Sequence, residues 1–279
     1  MHNRQFRLPS ALSPLPYQTL IVLALATVLA LSVAACASSR AVPTGTAPNE
    51  ADKLLLDRGN EALAAKKYTA ARQYYSKLLE GYPQSQYRAD AKLGVGDSYL
   101  GENNSASYVY AVNEYREFLA FYPTNTRADY AQLQLGMVHL KQMLGPQRDQ
   151  TETKEAIHEF EVFLERYPNS PLLPQAKERL REAKDRLADG ELQVGVFYLH
   201  VGLFPAAVPR LKGLLEADPG YTRKDAVYFH LAETLEKSDK KPEALPYYER
   251  LVKEYEKSEF LEEAKRRIEL LKAQTPAGL

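Results

Sequence analysis

From Ala51 onward the apolar residues recur at helical spacing in short blocks, and proline marks where the blocks end. Tyr-Pro pairs stand at Tyr82-Pro83, Tyr122-Pro123 and Tyr167-Pro168, and Asp218-Pro219 takes the same place later. An alanine lies 12 residues before each of these prolines: Ala71, Ala111, Ala156 and Ala207. A fifth, Ala244, has Glu256 where the proline would be. Small residues lie 12 before three of the alanines (Gly59, Gly195, Ala232), whereas Gly96 is 15 before Ala111 and Gly136 is 20 before Ala156. The 3 and 8 additional residues fall in the polar segments 103–107 and 144–154, which predicts loop insertions there.

A small residue, an alanine 12 later and a proline 12 later still is the frame of a tetratricopeptide repeat. Gly or Ala at the crossing lets two antiparallel helices approach. A large residue four past the alanine then fills the adjoining space: Tyr75, Tyr115, Phe160, Leu211 and Tyr248. Ser85 and Ser170 stand where they can cap the helix that follows. The expected fold is an all-α solenoid over residues 51–274. Its five helix pairs lie near 52–85, 89–125, 129–170, 188–221 and 225–258, with a capping helix over 259–273 and a tail at 275–279. Phe260, Ala264, Ile268 and Leu271 form the apolar stripe of the cap, which a solenoid needs to cover its last repeat.

One connection is longer than the frame allows. Leu173, Leu180, Leu187, Val194 and Val201 follow at sevenfold spacing, with Ala176, Ala183, Phe197 and Phe204 between them. This predicts one long helix entering the fourth repeat, with Gly190 as a weak point. The stripe reads as packing against the chain's own repeats or as a coiled-coil seam.

The start of the chain differs from the body. Arg4 and Arg7 precede a 16-residue apolar stretch, residues 20–35, and the first acidic residue is Glu50. At about 1.5 Å per residue that stretch is short of a roughly 30 Å hydrocarbon core, as expected of a signal peptide over 1–35. Val33-Ala34-Ala35-Cys36 resembles a bacterial lipobox, in which Cys36, the sole cysteine, becomes the lipid-modified first residue. A retained membrane anchor is the alternative. Residues 36–50, rich in Ser, Thr, Pro and Ala, read as the lipidated Cys and a flexible linker. Ala37 after the Cys resembles the pattern of lipoproteins sent to the periplasmic face of the outer membrane.

Composition removes several functions. Lys+Arg and Asp+Glu are equal at 36 each, so the chain lacks the basic field of a nucleic-acid binder. One Cys forms no internal disulfide and no cysteine-based metal centre. The histidines are His2, His139, His158, His200 and His230, and no two have metal-ligand spacing on one helix face. His139 stands where neighbouring repeats have Tyr99 and Tyr198, so it reads as a packing residue. Gly94-Val95-Gly96 lacks the remaining residues of a phosphate loop, and no nucleophile elbow is present. The expectation is a protein without catalysis, cofactor or metal.

Stacked helix pairs serve binding. Counted from the small residue, the inward face of the first helices is expected to carry Leu56, Asn60, Leu63, Leu93, Asp97, Leu100, Leu133 and Met137. Such a face suits an extended or helical peptide segment. The alternative is that the leucines pack between helices and the polar pair is solvated.

Together these residues resemble the BamD family, the lipoprotein subunits of the outer-membrane β-barrel assembly machine. The more specific stretches are Tyr82-Pro83-Gln84-Ser85, Asp129-Tyr130-Ala131 before Gly136, and Arg148-Asp149-Gln150-Thr151. Glu191-Leu192-Gln193-Val194-Gly195-Val196-Phe197-Tyr198 and Ala206-Ala207 with Arg210 also match. The resemblance implies five tetratricopeptide repeats and no catalysis. It implies unfolded outer-membrane protein clients at the amino-terminal repeats, and a BamA-like barrel protein docking through its POTRA region on the carboxy-terminal ones. It makes Arg210 a candidate partner contact and Arg148-Asp149 a candidate structural or client-side turn. Segment 144–154 is shorter than in many members and the tail after Leu271 is brief. Another repeat lipoprotein of the envelope, such as a secretin pilotin, is the rival reading.

Overall fold

The computed structural model describes residues 48–274; the signal-peptide reading, Cys36, most of the linker and the tail lie outside the described residues. A compact unit begins at Ala51. Eleven helices are described: α1 (Pro48–Ala64), α2 (Tyr68–Gly81), α3 (Arg88–Glu102), α4 (Ser105–Phe121), α5 (Ala128–Gln142), α6 (Thr151–Arg166), α7 (Leu173–His200), α8 (Phe204–Ala217), α9 (Lys224–Lys237), α10 (Lys241–Glu254) and α11 (Leu261–Gln274). They form the five expected pairs and the cap. The linker reading ran through Glu50, but the chain is helical from Pro48, with proline in the first turn where its missing N–H is harmless.

From α2 to α11 each helix packs on the next in sequence, and the core is a row of four apolar clusters rather than one centre. The cause is visible at each crossing. A Cβ on Gly59 would lie 2.3 Å from the Tyr75 ring, one on Gly96 2.8 Å from Tyr115, one on Gly136 2.6 Å from Phe160, and one on Gly195 2.6 Å from Leu211. The residue four past each alanine is therefore a wedge seated on the small residue of the facing helix. Tyr75 is held from two sides, because a Cβ on Gly94 of the next pair would also meet its ring, at 2.4 Å.

The turns between pairs repeat as well. Ser85 Oγ accepts from the Tyr87 N–H (3.1 Å), Ser170 Oγ from the Leu172 N–H (3.0 Å) and Ser258 Oγ from the Phe260 N–H (3.2 Å). Ser170 and Ser258 also donate, at 2.6 Å each, to Asp129 and Asp225 at the start of the preceding first helix. Within pairs, the tight turns at Lys66, Asn103, Gly202 and Asp239 pass through the left-handed region, with φ between 56° and 76°.

Of the two expected loop insertions, one changes. The 3 additional residues of the second repeat lengthen α4 rather than form a loop: Ala111 is the seventh residue of α4, whereas Ala71 is the fourth of α2. Asn104 caps the longer helix, accepting from the Ser107 N–H at 3.0 Å. In the third repeat most of the insertion is a true loop between α5 and α6.

α7 is continuous over 28 residues, about 42 Å, and Gly190 does not break it. A Cβ there would lie 2.8 Å from the Pro146 carbonyl oxygen, so this glycine admits the third-repeat loop against the helix. The sevenfold stripe follows the core only at first. Leu180 is 9 % exposed, Leu187 half-buried, Val194 37 % exposed and Val201 50 % exposed. A straight helix turns about 20° per heptad away from a 3.5-residue repeat, so three heptads carry the stripe off the packed face. Ala188, Leu192, Gly195 and Leu199 take over as the buried set.

Candidate functional site

The inward-face expectation divides on inspection. Leu56, Leu93 and Leu133 are 8 %, 1 % and 1 % exposed and belong to the inter-helix clusters, which removes them from any groove. The reason is helical geometry. Residues three before and four after a position share its face, and the small residue faces the second helix of its pair. Leu63, Leu100 and Met137 are half-buried against the same clusters.

The polar pair sits one residue past the glycines, about 100° around the helix. Asn60 Oδ1 accepts from Tyr75 Oη at 2.8 Å; Asp97 Oδ1 accepts from Tyr115 Oη at 2.6 Å and from Tyr130 Oη at 2.9 Å. Where the wedge has no hydroxyl, at Phe160 and Leu211, the matching position is apolar: Met137 and Val196. Asn60 and Asp97 are thus acceptors for the wedge tyrosines rather than free groove polarity. Burial raises the Asp97 carboxyl above the usual range, against the lowering by the two hydroxyls and Arg127. Burial, followed by the Asp97 charge, holds the Tyr115 and Tyr130 hydroxyls well above theirs.

Asp97→Ala is expected to destabilise the chain by about 2 kcal/mol, since it strands two hydroxyls, that of Tyr115 in the core. Asp97→Asn keeps the accepting oxygen and sheds a charge that burial disfavours. A raised folded pKa means stability that is present below the unfolded value, about 3.9, and lost as pH rises through the folded one. Asp97→Asn should therefore match the native chain near pH 3.5 and equal or exceed it at pH 7 in urea melts. Equal losses in both variants at pH 7 would refute this role.

A second surface surrounds α7. The Arg148-Asp149-Gln150-Thr151 stretch leads into α6, whose first residue is Thr151: Asp149 Oδ1 accepts from Thr151 N and Oγ1, both at 2.7 Å. The Thr151 hydroxyl, then its N–H, holds the Asp149 carboxyl below the usual range. Gln150 Nε2 donates to the Gly145 and Arg148 carbonyls at 2.9 and 3.0 Å, closing the loop on itself. Its structural role is thereby explained, and Arg148 is left exposed. Between this loop and α7 lies a 470 Å³ groove lined by Pro146, Arg148, Leu187, Gly190, Val194 and Phe197, the last 59 % exposed. Glu191 borders both this groove and a 720 Å³ one between α7 and α8 that includes Tyr198, Pro209, Arg210 and Leu214. Arg210 is exposed and its Nη1 lies 2.6 Å from Glu191 Oε2. Sequence reading named Arg210 through resemblance alone; the exposed apolar residues beside it could not be told from core.

Residues 48–241 match the YfiO family, described as outer membrane lipoprotein. The chain belongs to that family. Residues 226–258 of the chain also match the tetratricopeptide repeat. Its relatives include the outer membrane protein assembly factor BamD of Caulobacter vibrioides, 27 % identical over 208 residues that cover 75 % of this chain and 67 % of that one. The BamD of Vibrio cholerae is 27 % identical over 73 % of this chain and 84 % of its own. That of Xylella fastidiosa is 25 % identical, and the match spans 59 % of each chain. The YfiO match includes α7, the third-repeat loop and Arg210, so these surfaces belong to the family region rather than to an added segment. Among the described residues, no helix is long and apolar enough to cross a membrane.

Proposed function

We propose that this protein is a lipid-anchored, non-catalytic scaffold for outer-membrane protein assembly. It is tethered through Cys36 to the periplasmic face of the outer membrane. It holds a BamA-like barrel protein by its POTRA region and receives unfolded outer-membrane proteins. The observation that carries the reading is the family match across 48–241, since those residues contain the continuous face formed by the third-repeat loop, α7 and Arg210. That face combines exposed apolar side chains with an accessible cation, the composition of a partner-binding surface. The amino-terminal repeats are the proposed client side. There, exposed Leu54, Val109, Tyr110 and Phe121 offer apolar surface that the leucines first expected do not. Tethering both activities to one membrane raises their effective concentration without new contacts.

The test is affinity purification of the full-length chain from detergent-solubilised membranes, with mass spectrometry of co-purifying proteins. The expected partner is a POTRA-containing barrel protein in near-equal amount, with recovery cut at least about tenfold by Arg210→Glu, a change of about 1.4 kcal/mol or more. The Arg210–Glu191 pair is exposed on both sides, so its loss leaves folding nearly unchanged. Recovery of a secretin, or of no barrel protein, would overturn the proposal.

A further inference from the structure

His139 was expected to be a packing residue. It is buried, 7 % exposed, but its ring has a feature that packing does not explain. Nδ1 lies 2.8 Å from Glu152 Oε2; a carboxylate can only accept, so Nδ1 carries a proton, and in the neutral ring the lone pair is then on Nε2. Nε2 is buried and has no hydrogen-bond partner. The neighbours of His139 at this crossing are acidic. A ring nitrogen of His139 and one carboxylate oxygen each of Glu155 and Glu159 lie within 4.8 Å of one another. Glu155 and Glu159 are one helical turn apart on α6 and face His139 on α5.

Glu159 is also buried, 7 % exposed. Gln132 Nε2 donates to its Oε2 at 2.7 Å and to its backbone carbonyl at 3.0 Å, while Oε1 is 3.6 Å from Arg116. Glu155, half-exposed, makes no hydrogen bond or ion pair among the described residues. The arrangement thus has two donors each held by an outer residue (His139 by Glu152, Glu159 by Gln132) and a third free to swing. A carboxylate that orients a histidine through Nδ1–H is the usual outer support of a metal ligand.

We propose that His139, Glu155 and Glu159 bind one divalent transition-metal ion, with zinc as the best-matched ion, clamping α5 to α6 in the third repeat. One imidazole nitrogen excludes the hard oxygen-only preference of calcium and magnesium, and a nitrogen with two carboxylates suits zinc with a water in the fourth place. The ion's two positive charges balance the two carboxylates. Neighbouring donors of a tetrahedral zinc lie about 3.4 Å apart, given bonds near 2.1 Å, so closing the site requires a rotamer change that Glu155 is free to make. Sequence spacing concealed the site because the donors come from two helices separated by the third-repeat loop.

The test uses the full-length, tag-free chain in detergent, stripped of metal. It is titrated with CoCl2 while the visible bands of tetrahedral cobalt are followed, then with ZnCl2 to displace them. Thermal melting is measured with and without ZnCl2. Saturation at one equivalent and a zinc-dependent rise in melting temperature are expected. Glu155→Gln should weaken binding about tenfold or more, as should Glu152→Gln through the histidine it orients. Glu161→Gln, which faces Lys184 instead, should leave binding unchanged. Glu155 is unbonded, so its variant folds even if a His139 variant does not. No saturable binding, or binding that Glu155→Gln weakens less than about tenfold, would overturn the proposal.

Discussion

Gly94→Ala is expected to destabilise the first two repeats by about 2 kcal/mol, although the same change favours an isolated helix by up to about 1 kcal/mol. The added Cβ would lie 2.4 Å from Tyr75 Cζ and 2.8 Å from its hydroxyl oxygen. The ring has little room to yield, because it lies so close to Gly59 on its other side that even a Cβ there would fall 2.3 Å from it, and Tyr75 is fully buried. Relief must come from separating α2 and α3, which opens the cluster containing Leu78, Ala91 and Val95. Gly213→Ala is the matched comparison. It lies within α8 with nothing within 4 Å of a new Cβ, so only the propensity gain remains and stability should rise by about 0.5–1 kcal/mol. Opposite shifts in urea midpoints are the expected result. Two shifts of the same sign would show that the wedge does not govern these crossings.

Phe160→Ala should have a still larger effect, about 3–5 kcal/mol. The ring is fully buried in the cluster that joins α5, α6 and the first half of α7, and it rests on Gly136, which has no side chain to move into the space left behind. A solenoid couples chiefly to its nearest neighbours, so the damage should be local. Hydrogen exchange should accelerate first in α5 and α6, while α10 and α11, packed in a different cluster, keep their protection. Uniform loss of protection along the chain would show that the repeats unfold as one unit.

The wedges explain why the repeats were legible without a structure. Glycine or alanine, alanine 12 later and a large residue four beyond are a local record of one contact between consecutive helices, and that contact recurs at Gly59–Tyr75 and Gly195–Leu211. The turns are legible for the same reason: Ser85 and Ser170 bond to backbone two residues away. Legibility failed where a side chain's surroundings depend on its angle around the helix. Leu56, Leu93 and Leu133 were placed on the inward face, although they share the glycine's side and are buried. Asn60 and Asp97 read as ligand contacts in the sequence, whereas in the fold tyrosines from other helices donate to them.

What the sequence by itself determined is the helix count, the pairing of neighbours, the long α7 and the positions of the wedges. Each follows from interactions within one helix or between adjacent ones. The tertiary structure alone decided which apolar residues remain outside. Val194, Phe197 and Val201 continue a stripe that is buried at Leu180, and only the accumulated rotation of about 20° per heptad turns them toward solvent. It also decided which polar residues come together: His139 bonds Glu152 and comes within 4.8 Å of Glu155 and Glu159 because the loop between α5 and α6 folds one helix back on the other. Separation along the chain carries no information about that meeting, because a loop fixes distance in space only after both helices have packed.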